Sequence, residues 1–102
     1  MRLSHAHQIG KSEAADRIDR NFESLVRDSL SGVTVQGVSR SWSDGQMTFS
    51  VQARWAFLKF TVNGTVTVSE NEVALECNAP VSENALKLAF DRKMDELLQP
   101  AT

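Results

Sequence analysis

A chain of 102 residues has room for one domain with one hydrophobic core, since domains usually run to about 100–150 residues. Its 41% hydrophobic and 24% charged residues are the composition of a packed, well-solvated domain and exclude a disordered one. The formal net charge is −2, and the basic residues are scattered from Arg2 to Lys93 without a cluster, which argues against a nucleic-acid partner.

Residues 2–9 alternate, with Leu3, His5, His7 and Ile9 on one side, and predict a short edge strand. Gly10-Lys11 breaks it, and Ser12 is placed to cap a helix whose first turn carries Glu13 and Asp16, acids suited to the positive end of the helix dipole. Ala14, Ile18, Phe22, Leu25, Val26 and Leu30 form one apolar stripe at helical spacing. Asp16, Arg17, Asp19, Arg20 and Glu23 read as its solvated flank, and Gly32 ends the helix.

Val33 and Val35 open the next strand, and the inward parity moves to Val38, Arg40 and Trp42 after Gly37, the mark of a β-bulge. Residues 38–77 then read as an antiparallel meander. Asp44-Gly45 suits a two-residue hairpin and sets Val38, Arg40 and Trp42 opposite Val51, Phe49 and Met47. A turn at Phe57-Leu58 pairs Trp55 with Phe60, Ala53 with Val62 and Phe49 with Val66; a turn at Glu70-Asn71 pairs Val68 with Val73. One face of this sheet is apolar, while Thr48, Ser50, Gln52, Arg54, Thr61, Asn63, Thr65 and Thr67 make the other polar.

Asn78-Ala79-Pro80 closes the last strand, and Ser82 caps a second helix running to about residue 99, where Pro100 stops it. Its stripe is Leu86, Ala89, Phe90, Met94, Leu97 and Leu98, with Lys87 and Asp91 spaced as an i, i+4 ion pair. The order β-α-β-β-β-β-α predicts an α+β fold: two amphipathic helices on the dry face of one antiparallel sheet.

Few residues suggest chemistry. His5 and His7 point the same way from a strand, but two ligands are too few for a metal, and a histidine bonded to backbone at the core rim explains each. The five glycines are spread out, so no phosphate loop forms, and no serine sits in a nucleophile elbow. Cys77, the only cysteine, aims inward and closes no intrachain disulfide, as expected in a reducing compartment. No apolar run approaches the roughly 18 residues of a membrane span, and residues 1–5 have no secretory hydrophobic region, so the expected location is the cytoplasm.

Arg40 is the one charge directed to the dry face: it stacks on an aromatic ring there, or with His7 anchors a ligand between sheet and helices. The most unusual stretch is Ala56-Phe57-Leu58-Lys59, because hairpin tips ordinarily carry Gly, Asn or Asp. Either Phe57 and Leu58 fold back under a helix, or they join Trp55 and Phe60 in an exposed knob that contacts a partner, with homodimerisation the commonest such contact.

Several segments carry a family likeness: His7-Gln8-Ile9-Gly10 followed by Ala14-Ala15, Trp42-Ser43-Asp44-Gly45 to Phe49, Asn63-Gly64-Thr65-Val66-Thr67-Val68, and Val73-Ala74-Leu75 leading to Pro80. In these the chain resembles the small bacterial proteins of the polyhydroxyalkanoic acid system family, with His7, Trp42, Gly64 and Pro80 matching the pattern and Lys59 and Ala79 departing from it. The resemblance implies a non-enzymatic cytoplasmic protein associated with polyhydroxyalkanoate granules or their metabolism, in contact with the granule surface or granule proteins. It implies no cofactor. The alternative is a carrier that holds a small hydrophobic ligand between sheet and helices, with Arg40 at the mouth.

Overall fold

The computed structural model describes residues 1–29, 32–78 and 82–100, in the order β1 (Arg2–Ala6), α1 (Lys11–Ser29), β2 (Thr34–Ser43), β3 (Gln46–Trp55), β4 (Leu58–Val68), β5 (Glu72–Cys77) and α2 (Glu83–Leu97). Leu30 of the predicted stripe, and Ala79 and Pro80 of the predicted strand stop, lie outside the described residues. The five strands form one antiparallel sheet in the order β1-β5-β4-β3-β2, so the first strand docks beside the last and α1 carries the chain to the opposite edge. Both helices lie on one face, as the pattern of apolar residues requires.

Local chemistry explains the elements. Asp44 and Gly45 take φ values of 48° and 76°, the left-handed pair a two-residue hairpin needs. They set Val38, Arg40 and Trp42 opposite Val51, Phe49 and Met47 as the sequence predicts. The bulge falls between Val35 and Gly37, where the register shifts by one residue. Ser82 caps α2 by accepting the Ala85 N–H at 3.4 Å, and the helix ends at Leu97, with the Leu98 N–H donating to Met94. At α1 the sequence reading needs correction: the helix begins at Lys11, one residue before the expected cap Ser12, because Gly10, at φ 84°, supplies the carbonyl that accepts the Ala14 N–H.

The second hairpin also differs from its prediction. Trp55 pairs with Leu58, Ala53 with Phe60 and Phe49 with Gly64, so the two-residue turn is Ala56-Phe57, not Phe57-Leu58. The pairing slips by two positions, which leaves every side chain on its predicted face. Gly64 supplies the reason. A Cβ there would collide with the Glu76 carbonyl, with the Phe49 ring at 2.7 Å and with Cys77 Cβ at 2.8 Å. Only glycine fits opposite Phe49 at this point, and that fixes the slip.

Between the layers, Ile18 and Phe22 of α1 and Leu86, Phe90 and Met94 of α2 share one core with Met47, Phe49 and Val51 of β3, and α2 lies towards the β1 edge. Phe22 and Phe49 are tilted against each other with ring centroids 5.2 Å apart, worth about 1 kcal/mol beyond the area they bury. Val68 pairs with Val73 across the last turn, as predicted.

Candidate functional site

The sheet outruns the helices. The molecule measures 43 × 26 × 22 Å, and β4, of 11 residues, is its longest strand, paired with the 10 residues of β3. Ala53 is buried and Phe60 packs half-buried against the core, but one pair further out the cover has ended. Trp55 is 57% exposed, Leu58 52% and Phe57 87%. Trp55 and Leu58 face each other on the apolar side of the ribbon and Phe57 leads at the tip. Of the four residues read from the sequence as a knob, three stand in water and Phe60 belongs to the core margin.

The tip is also conformationally costly. Ala56 takes φ 56°, a left-handed value that costs a residue with a Cβ about 1 kcal/mol and that glycine would adopt freely. Behind it, Arg54 and Lys59 sit directly opposite each other on the uncovered face, two like charges with no ion pair among the described residues.

The two candidate ligand anchors are both engaged elsewhere. Arg40 reaches back to α1: its guanidinium carbon lies 5.7 Å from the centre of the Phe22 ring, its Nε donates to Asp19 Oδ1 at 2.8 Å, and Nη2 donates to the Asp19 carbonyl at 3.2 Å. Trp42 Nε1 donates to the same carboxylate oxygen at 2.8 Å. Asp19, read from the sequence as solvated flank, is thus the point where edge strand β2 is fastened to α1. The Arg40 guanidinium first, and the Trp42 N–H second, hold its carboxyl below the ordinary range. An inward charge and a bulge on an edge strand also discourage pairing with another sheet. The signal for this clamp was two inward polar-tipped side chains, Arg40 and Trp42, with no partner on their own strand.

His7 is buried beside the β4–β5 turn, with Nε2 2.9 Å from the Ser69 carbonyl and Nδ1 accepting from the Ile9 N–H at 3.4 Å. The Nε2–H tautomer satisfies both bonds, and neither ring nitrogen is left for a ligand. His5 lies between two acids of α2, Nδ1 3.2 Å from Asp91 and Nε2 3.0 Å from Asp95. Asp91 therefore turns to β1 rather than to Lys87, correcting the predicted pair. Because the two carboxylates approach different ring nitrogens they do not converge on a metal position, and no group of three ligating residues occurs among the described residues. Cys77, at the far end of β5 from the His7 turn, has no histidine beside it to activate it.

A half-open apolar space lies between the layers. An apolar cavity of about 90 Å³ is bounded by Leu25 and Val26 of α1, Leu86 and Met94 of α2, and Val66 and Cys77 of the sheet. Its single polar neighbour is Lys93, which spans the helices to Asp28 at 2.9 Å. Each partner stabilises the other's charge, so the Asp28 carboxyl is held down and the Lys93 ammonium pushed up. The cation at this cavity is Lys93; Arg40, expected at the mouth, does not line it. No helix among the described residues is long and apolar enough to cross a membrane. Comparison with protein-family models and with curated proteins returns no match.

Proposed function

We propose that the protein is a non-enzymatic contact module that docks on an apolar surface through the β3–β4 tip. The observation that carries this reading is the exposure of Trp55, Phe57 and Leu58 together at one end of the sheet, on a turn that spends conformational energy to present them. The partner implied by the family resemblance is the surface of a polyhydroxyalkanoate granule or a protein upon it, in the cytoplasm. Co-sedimentation with isolated granules tests the proposal. Wild type is expected to pellet with granules and Phe57→Ser/Leu58→Ser to stay in solution; equal binding, or none by either, counts against it. A concentration-dependent dimer abolished by the same pair of changes would identify a second copy of the chain as the occupant.

The cavity favours a second reading, carriage of a small hydrophobic ligand. Its lining matches in kind the apolar cavities of about 150 Å³ that stay dry and take up benzene. Benzene titration followed through the methionine methyl signals checks it. Met94 should shift while Met47, fully buried away from the cavity, stays still; uniform or absent shifts would remove the carrier reading and leave the tip untouched.

A further inference from the structure

We infer that the surface met by the tip is a phospholipid boundary carrying anionic headgroups, with the apolar side chains entering the acyl region and Arg54 and Lys59 resting on the headgroups. This rests on the tip being a contact site, as proposed above, and adds the chemistry of what it contacts. Three features lead to it. Phe57 leads, and Trp55 and Leu58 follow as the next pair, so the apolar residues occupy the outermost layers of the arm. Arg54 and Lys59 form the pair behind, one residue back from Trp55 and Leu58, or about 3.3 Å along the strands. Interfacial segments commonly seat apolar groups about 5–10 Å into the headgroup and acyl boundary, with tryptophan at that level and long cationic side chains reaching back to the phosphates.

The third feature is charge. Arg54 and Lys59 oppose each other across the ladder, an arrangement that destabilises an isolated hairpin, and neither has an acidic partner among the described residues. Arg2 is paired with Glu76, Arg17 with Glu13, Arg20 with Asp16 and Lys93 with Asp28, while Lys11, Lys87 and Arg92 also make no ion pair among the described residues, so what distinguishes Arg54 and Lys59 is that they face each other directly behind the tip. An unmatched cationic pair set immediately behind an unmatched apolar tip, on a chain of net charge −2, complements a surface that is anionic outside and apolar beneath. A purely apolar polymer or a neutral lipid would use the tip and leave the cations without a role.

Vesicle co-sedimentation of the full chain, with phosphatidylcholine alone and with an equimolar mixture of phosphatidylcholine and phosphatidylglycerol, tests the inference. At about 1 kcal/mol per cation near an anionic surface, two cations predict roughly thirtyfold tighter binding to the mixed vesicles, declining as salt is raised. Arg54→Gln/Lys59→Gln, whose melting temperature should not fall because a like-charge pair is removed, is expected to bind both vesicles as wild type binds the neutral one. Phe57→Ser/Leu58→Ser should lose both. Equal affinity of wild type for the two vesicles, or a preference retained by the glutamine variant, overturns the lipid inference. Binding to granules but to neither vesicle does so too while leaving the contact reading intact, and failure to bind granules and vesicles alike removes both.

Discussion

The sheet ends in two hairpins of the same length and opposite character. At the Asp44-Gly45 end the turn residues are those that left-handed backbone prefers, and the tip is tied in: the Val68 N–H donates to the Gly45 carbonyl at 2.8 Å and the Lys11 side chain lies against Gly45. Close behind, Asp19 fastens Arg40 and Trp42 to the helix. At the Ala56-Phe57 end the turn holds an alanine at φ 56°, exposes Trp55, Phe57 and Leu58, and sets two cations against each other. Each choice at the first end lowers free energy locally. Each choice at the second raises it, and such local conflicts concentrate where a chain meets a partner.

The largest expected effect tests what holds the two ends in register. Gly64→Ala places a methyl group against the Glu76 carbonyl, the Phe49 ring and Cys77 at once, and two of these are backbone or β-carbon atoms that cannot swing aside. We expect a loss of about 3 kcal/mol in chemical denaturation. Amide exchange should quicken at both ends of β4, because Gly64 pairs with Phe49 of β3 on one side and with Cys77 of β5 on the other. If Gly64→Ala is as stable as wild type, the pairing that puts Phe57 at the tip is wrong.

A smaller effect is expected at the supported end. Asp19→Ala leaves the half-buried Trp42 N–H and the Arg40 guanidinium without their shared acceptor, at a cost of about 1–2 kcal/mol. The effect depends on pH in a fixed direction. Arg40 and Trp42 depress the carboxyl of Asp19 in the folded chain, so its contribution is complete above the unfolded value of about 3.9 and disappears as pH falls through the lower folded value. The stability gap between wild type and Asp19→Ala should therefore hold at neutral pH and shrink from about pH 5 towards about pH 2. A gap that widens with acid would contradict the clamp. Binding through the proposed contact tip at the other end should not change.

What could be read in advance follows from which interactions are periodic. The element order, the two-faced sheet, the Asp44-Gly45 register and the bulge by Gly37 all follow from alternation and turn chemistry, which are local in the chain. The alignment of β3 with β4 was missed by two positions because it is decided by Gly64 under the Phe49 ring and by the backbone of β5, contacts that no alternation records. Arg40 was rightly directed inward, yet its partner Asp19 lies 21 residues away on a helix face that looks solvated when read alone. Exposure of Phe57 depended on where the helix layer stops relative to the strands, a tertiary length that no single segment encodes.

The smallest predicted change in stability separates the two ends most directly. Replacing Ala56-Phe57 by Asp-Gly gives the second hairpin the residues of the first, on a loop of the same two-residue length. Because aspartate tolerates the left-handed backbone of position 56 better than alanine does, stability should rise slightly, seen as a higher denaturation midpoint at unchanged slope. Loss of Phe57, the most exposed large apolar side chain, should weaken granule and vesicle binding together. A variant that is more stable and binds less would mean that the sequence gives up stability at this tip in order to hold a contact there. A variant that is more stable and binds as wild type does would leave Ala56-Phe57 as an ordinary imperfection of the turn, with Trp55 and Leu58 alone to explain any adhesion.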